Sequence, residues 1–157
     1  MKMFLGLSLM SFVFSAAWRS DALTKDDGPF KVEIAVNSAS LQEELYKSQH
    51  IFFVDTKVTN VSHREQKLVA WTQYGWSWIS SSAQVRPGIE ATKNSPARIV
   101  LQPGQSYARA VEMFSMTHRP VTFKLGFAPQ AQRPISGQAN SAAVGELFWS
   151  NLVTLTR

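Results

Sequence analysis

The feature that most constrains this chain is a two-residue rhythm of apolar side chains that recurs in segment after segment beyond residue 29. Phe30, Val32, Ile34 and Val36 alternate with Lys31 and Glu33. A period of two sends successive side chains to opposite faces of an extended strand, so these four line one buried face. Phe52, Val54, Thr56 and Val58 repeat the pattern within residues 51–60, and Val121, Phe123, Leu125 and Phe127 repeat it within 121–127. Segments 67–74, 98–102, 106–114 and 147–156 complete the predicted strands. Turn chemistry separates them, at Arg86-Pro87-Gly88 and at Pro103-Gly104. One stretch departs from the rhythm. Ser40-Leu41-Gln42-Glu43 has the form of a capping box, with Leu45 one turn after Leu41, and predicts a single short helix. Seven or eight strands with so little helix define an all-β chain, arranged as an antiparallel sandwich.

Size agrees with one such domain. The chain has 157 residues, of which 45% are hydrophobic and 17% charged, the balance of a globular protein. A domain of this length buries about two thirds of its unfolded surface and needs no covalent staples. It contains no cysteine, which removes disulfides, thiol catalysis, cysteine-ligated metals and a bacterial lipid anchor together.

Residues 1–17 carry the pattern of an export signal. Lys2 is followed by an apolar run from Met3 to Phe14, and Ser15-Ala16-Ala17 offers small residues for cleavage before Trp18. The run is shorter than the ~20 apolar residues of a membrane helix, so no stable membrane span is expected after cleavage. An uncleaved anchor is the alternative. The expected organisation is a signal peptide at 1–17, a polar leader at 18–29 and a β-sandwich domain at 30–157, in a periplasmic or secreted protein.

The net charge of +5 is unevenly placed. Residues 86–157 hold eight basic side chains against Glu90, Glu112 and Glu146, whereas the preceding half is near neutral. The basic residues stand singly rather than in a run, the pattern of a solvated surface and not of a nucleic-acid-binding stripe.

Three short stretches carry a resemblance. Val58-Thr59-Asn60 ends an early strand, Leu101-Gln102-Pro103-Gly104-Gln105-Ser106 precedes a late one, and Trp149-Ser150-Asn151-Leu152-Val153-Thr154-Leu155-Thr156 closes the chain. In these, residues 30–156 look like a bacterial immunoglobulin-like β-sandwich domain of an exported protein. The resemblance implies a fold that hosts adhesion, ligand binding and assembly alike, so it does not choose among them. The leucine-x-proline-glycine turn is also similar to one in a proteinase-inhibitor-like subgroup of such sandwiches, but no inhibitory loop can be matched residue by residue.

Two constellations are candidate sites. The first is aromatic: Tyr74, Trp76 and Trp78 share one strand face if alternation runs unbroken, opposite Trp71. Exposed, they would form a platform that stacks on sugar rings or partner side chains. A bulge at Gly75 would instead return them to the core, where sandwiches of this kind bury a tryptophan. Both arrangements are open. The second is Met113, Met116 and His118, soft ligands suited to Cu(I), with His50 or His63 able to add an imidazole. Methionine filling a core gap is the competing explanation.

Other patterns lead nowhere. The three histidines show no zinc-protease spacing, and there is no nucleophile elbow, phosphate-binding glycine loop or dinucleotide fingerprint. Asp26-Asp27-Gly28 lacks the ordered oxygen ligands of a calcium loop. Asn60-Val61-Ser62 matches the glycosylation acceptor pattern, which recurs by chance. Residues 128–145 form an unusually long connection, rich in small polar residues. The expectation is a non-enzymatic module, without a cofactor, that binds a protein or glycan through an aromatic strand face or end loops. A periplasmic Cu(I) carrier is the alternative.

Overall fold

The computed structural model describes residues 28–46, 49–71, 77–88, 96–129 and 146–156. Residues 1–27, on which the expected signal and leader fall, Tyr74, Trp76 and the connection 130–145 lie outside them. Among the described residues every element is a strand. They are β1 (Phe30–Tyr46), β2 (Gln49–Asn60), β3 (Gln66–Trp71), β4 (Trp78–Ser80), β5 (Val85–Pro87), β6 (Pro96–Leu101), β7 (Ser106–Ser115), β8 (Val121–Phe123), β9 (Leu125–Phe127), β10 (Phe148–Trp149) and β11 (Val153–Leu155). No helix among them is long and apolar enough to cross a membrane.

One antiparallel sheet has the order β1-β2-β7-β5. Its register runs from Phe30 opposite Asn60 to Asn37 opposite Phe53, and from Thr59 opposite Ser106 to His50 opposite Ser115. Alternation then decides which residues face inward. Phe30, Val32, Ile34, Phe52, Val54, Thr56, Val58, Val111 and Met113 are all buried. The predicted helix at residues 40–45 is instead the far part of β1, which pairs Gln42 with Ile51 and Tyr46 with Gln49 across register shifts. A helix of one or two turns is marginal in isolation, and a hairpin with β2 gives the same backbone groups partners. Arg86-Pro87, read as a turn, lies in edge strand β5, where a proline costs no ladder hydrogen bond.

Facing this sheet are shorter pieces, ordered β10-β9-β4, β11-β8 and β3-β6. Residues 121–127 and 148–155 form one interrupted antiparallel ribbon. Phe127 pairs with Phe148 and Gly126 with Trp149, and then Phe123 pairs with Val153 and Val121 with Leu155. Between Gly126 and Phe123 lie fewer residues than between Trp149 and Val153, so the second strand carries an extra residue as a bulge. This explains why a segment with unbroken apolar alternation is two strands. The faces meet through aromatic edges, with ring centroids 6.1 Å apart for Phe52 and Phe123, 6.4 Å for Phe30 and Phe127, and 5.3 Å for Phe30 and Phe148. Each such pair contributes about 0.5–1.5 kcal/mol beyond its buried area.

Polar side chains tie the pieces together. Asn60 is fully buried, and its Nδ2 donates to the carbonyls of Arg64 (2.9 Å) and Leu101 (2.8 Å). Its Oδ1 accepts from the backbone N–H (3.0 Å) and hydroxyl (2.7 Å) of Ser62. Its own N–H donates to the Gln105 carbonyl, and its carbonyl accepts from Gly104 N–H, at 2.9 and 2.8 Å. Gly104 sits at φ 78° in the turn Gln102-Pro103-Gly104-Gln105, which Gln105 N–H closes onto the Gln102 carbonyl at 2.9 Å. That is the type II arrangement, in which only the third residue needs a left-handed backbone. The carboxamide that reads as a glycan acceptor is therefore spent inside the fold.

Asn60→Ala leaves the buried Leu101 carbonyl and the Ser62 turn without their partner. Denaturant unfolding of the purified variant is expected to show a loss of about 3 kcal/mol. A loss below about 0.5 kcal/mol would mean that water replaces the carboxamide.

Candidate functional site

Trp78 lies in β4 directly opposite Phe127 of β9, and the two rings pack with centroids 5.0 Å apart. The residue is only 7% exposed. It belongs to the core, as the alternation Trp78-in, Ile79-out requires, and it offers no face to a partner. Tyr74 and Trp76 lie outside the described residues.

The exposed aromatic residue is Trp149 of β10, at 39% exposure. Phe148 points into the core, so strand alternation sends Trp149 outward. Across the ladder it meets Gly126, and beyond Gly126 comes the half-buried Ile79 of β4. A Cβ on Gly126 would lie 3.2–3.3 Å from three atoms of the indole six-membered ring. The missing side chain is what lets the indole rest against the middle strand. A ring held this way has little freedom left to lose when a partner covers it. The segment beneath it is anchored: Ser150 N–H donates to the Leu125 carbonyl, and Ser150 Oγ accepts from Leu125 N–H, both at 2.9 Å. Asn151 Oδ1 accepts from Ile34 N–H at 2.8 Å, and its Nδ2 donates to the Ile34 carbonyl at 3.0 Å. Leu152, next in the chain, is 59% exposed.

The Met–His constellation is dispersed. Met113 is wholly buried opposite Phe52, Met116 is exposed just beyond β7, and His118 is exposed in the following loop. His118 does meet another candidate ligand. His50 Nε2 stands 3.0 Å from His118 Nδ1 and 3.4 Å from its Nε2. His63 follows Asn60 at the other end of β2, roughly 33 Å of extended strand away. Among the described residues no group of three or more His, Asp or Glu is placed to hold a metal.

Trp149 was legible in part. The FW pair in the last strand and the glycine in the outward phase of 121–127 were both in the sequence, but their pairing depends on a register that a bulge resets. In comparisons with known proteins, the chain matches no family model, no curated protein and no solved structure.

The two tryptophans are expected to differ sharply on truncation. Trp78→Ala should cost about 3–5 kcal/mol in denaturant unfolding, as large core aromatics do. Trp149→Ala should cost about 1 kcal/mol or less, because much of the ring is already in water. Equal losses would contradict these placements.

Proposed function

We propose that this protein is an exported, non-enzymatic interaction module, an immunoglobulin-like β-sandwich that holds a protein or glycan partner on an aromatic strand face. The observation that carries the reading is Trp149, an indole packed against Gly126 and still 39% exposed. Binding hot spots favour tryptophan because a large ring, already oriented, gains contact area at small entropic cost. Sugar rings and partner side chains both stack on such a surface. Leu152 extends the exposed apolar surface along the same pinned segment. The signal-like pattern of residues 1–17 supports the export part of this reading, with the periplasm or the exterior as the compartment.

The test is partner capture on a glycan array and on a panel of extracellular proteins, with the original protein and Trp149→Ala side by side. The expected result is a partner retained by the first and lost by the second, while their melting temperatures stay within a few degrees. A partner bound equally by both would contradict the role of this face.

A further inference from the structure

The outward-facing positions around Trp149 differ in chemistry from one row of the ladder to the next. A Cβ on Gly126 would stand at nearly equal distances, 3.2–3.3 Å, from Cε3, Cζ3 and Cη2 of the indole, three consecutive ring atoms. A point approached along the ring edge would be much closer to the middle atom than to its two neighbours. Near-equality puts it over the ring face. The indole therefore lies flat on the glycine, and the 39% exposure of Trp149 falls to the opposite face and the rim.

The next row holds a charge. Phe123 and Leu125 are wholly buried, so alternation sends Lys124 outward, on the same face as Gly126 and about 7 Å from it along the strand. Trp149 pairs with Gly126 and Val153 with Phe123, which leaves Asn151 and Leu152 together across from Lys124. Asn151 turns to β1, and Leu152 stays exposed. On the other side Ser81 binds the Lys124 backbone through its own N–H and its hydroxyl. One row further, the exposed hydroxyls of Thr122 and Thr154 meet at 2.9 Å. Residues 78–81, 121–127 and 148–155 contain no Asp or Glu, and Lys124 makes no ion pair among the described residues. The face offers a flat ring, one cation and several hydroxyls.

We propose that this face is a subsite for a hexuronate residue of an acidic glycan, with the sugar ring stacked on the open side of Trp149 and its carboxylate held by Lys124. The proposal rests on the Trp149 face argued above and commits it to one ligand. A pyranose presents a flat C–H face and a polar rim, which suits a flat-lying indole flanked by hydroxyl and ammonium donors. Protein hot spots cluster in well-packed pockets, whereas an indole laid on a sheet offers a plane. A carboxylate on the sugar gives Lys124 a charge-assisted hydrogen bond.

Affinity electrophoresis of the purified protein through gels holding polygalacturonate, alginate or hyaluronan, each beside its carboxyl-reduced neutral form, tests this. Retardation by at least one acidic polymer is expected, weakened about tenfold or more by carboxyl reduction and by Lys124→Gln. Trp149→Ala should abolish it. Lys67→Gln removes the same charge from an exposed side chain elsewhere and should bind as the original does, which separates a built subsite from general attraction to a polyanion. Lys124→Gln should melt within a few degrees of the original, because Ser81 holds backbone groups of residue 124. Equal retardation by acidic and reduced polymers, or of the original and Lys124→Gln, would overturn the proposal and leave the aromatic face to a neutral glycan. Retardation by none of the polymers would overturn it as well. The aromatic face itself falls only if no partner, sugar or protein, is lost with Trp149→Ala.

Discussion

When a strand breaks inside a folded β protein, its backbone N–H and C=O groups leave the ladder and must be bonded elsewhere, because an unpaired buried group costs about 1–3 kcal/mol. That constraint shapes the whole molecule. The β1-β2-β7-β5 sheet is largely continuous, but the strands facing it are only two to six residues long and could not stand alone. Side chains supply what their ladders lack. Ser81 exchanges both bonds with the backbone of Lys124 at the interruption between β8 and β9, at 3.0 and 2.9 Å. Ser150 does the same for Leu125, Asn151 for Ile34, and Asn60 joins β2 to the residues around β6. The apolar core then closes over joints already satisfied.

These joints place the surface features that matter. Asn151 acts as a short length of strand along the outer edge of β1, beside the parallel bridge between Val32 and Ser150. An edge so occupied is blunted against pairing with another chain. The same anchorage fixes Trp149 over Gly126 and holds Leu152 in the open. At the far pole, hydroxyl groups rather than carboxamides shape the loop, and the result is a histidine pair instead of a sealed amide. One end of the sheet is a structural knot. The other ends in two imidazoles in contact.

Much of this architecture was readable from residue order alone, because alternation is a direct consequence of the pleat. Phe30, Val32, Ile34, Phe52, Val54, Thr56 and Val58 face inward as their spacing requires. The short helix was misread because Ser40-Leu41-Gln42-Glu43 satisfies a local capping rule, whereas the pairing with β2 is a tertiary effect that no local rule reports. The interruption at Lys124 was invisible for the same reason: it goes with the extra residue in the partner strand and is satisfied by Ser81, forty-three residues away. His50 and His118 are separated by sixty-eight residues, and the register of β2 against β7 together with the turn after Ser115 brings them together. Trp78 could be placed on either side of its sheet until its partner Phe127 was known.

The central claim is that side-chain hydrogen bonds replace ladder bonds where strands break, and amide hydrogen exchange tests it at a single residue. The Ile34 N–H points away from β2 to Asn151. It should exchange as slowly as its neighbours in the sheet, and Asn151→Ala should release it while the amide of Val54 in central strand β2 stays protected. Fast exchange of Ile34 in the original protein, or exchange indifferent to the loss of Asn151, would contradict the account.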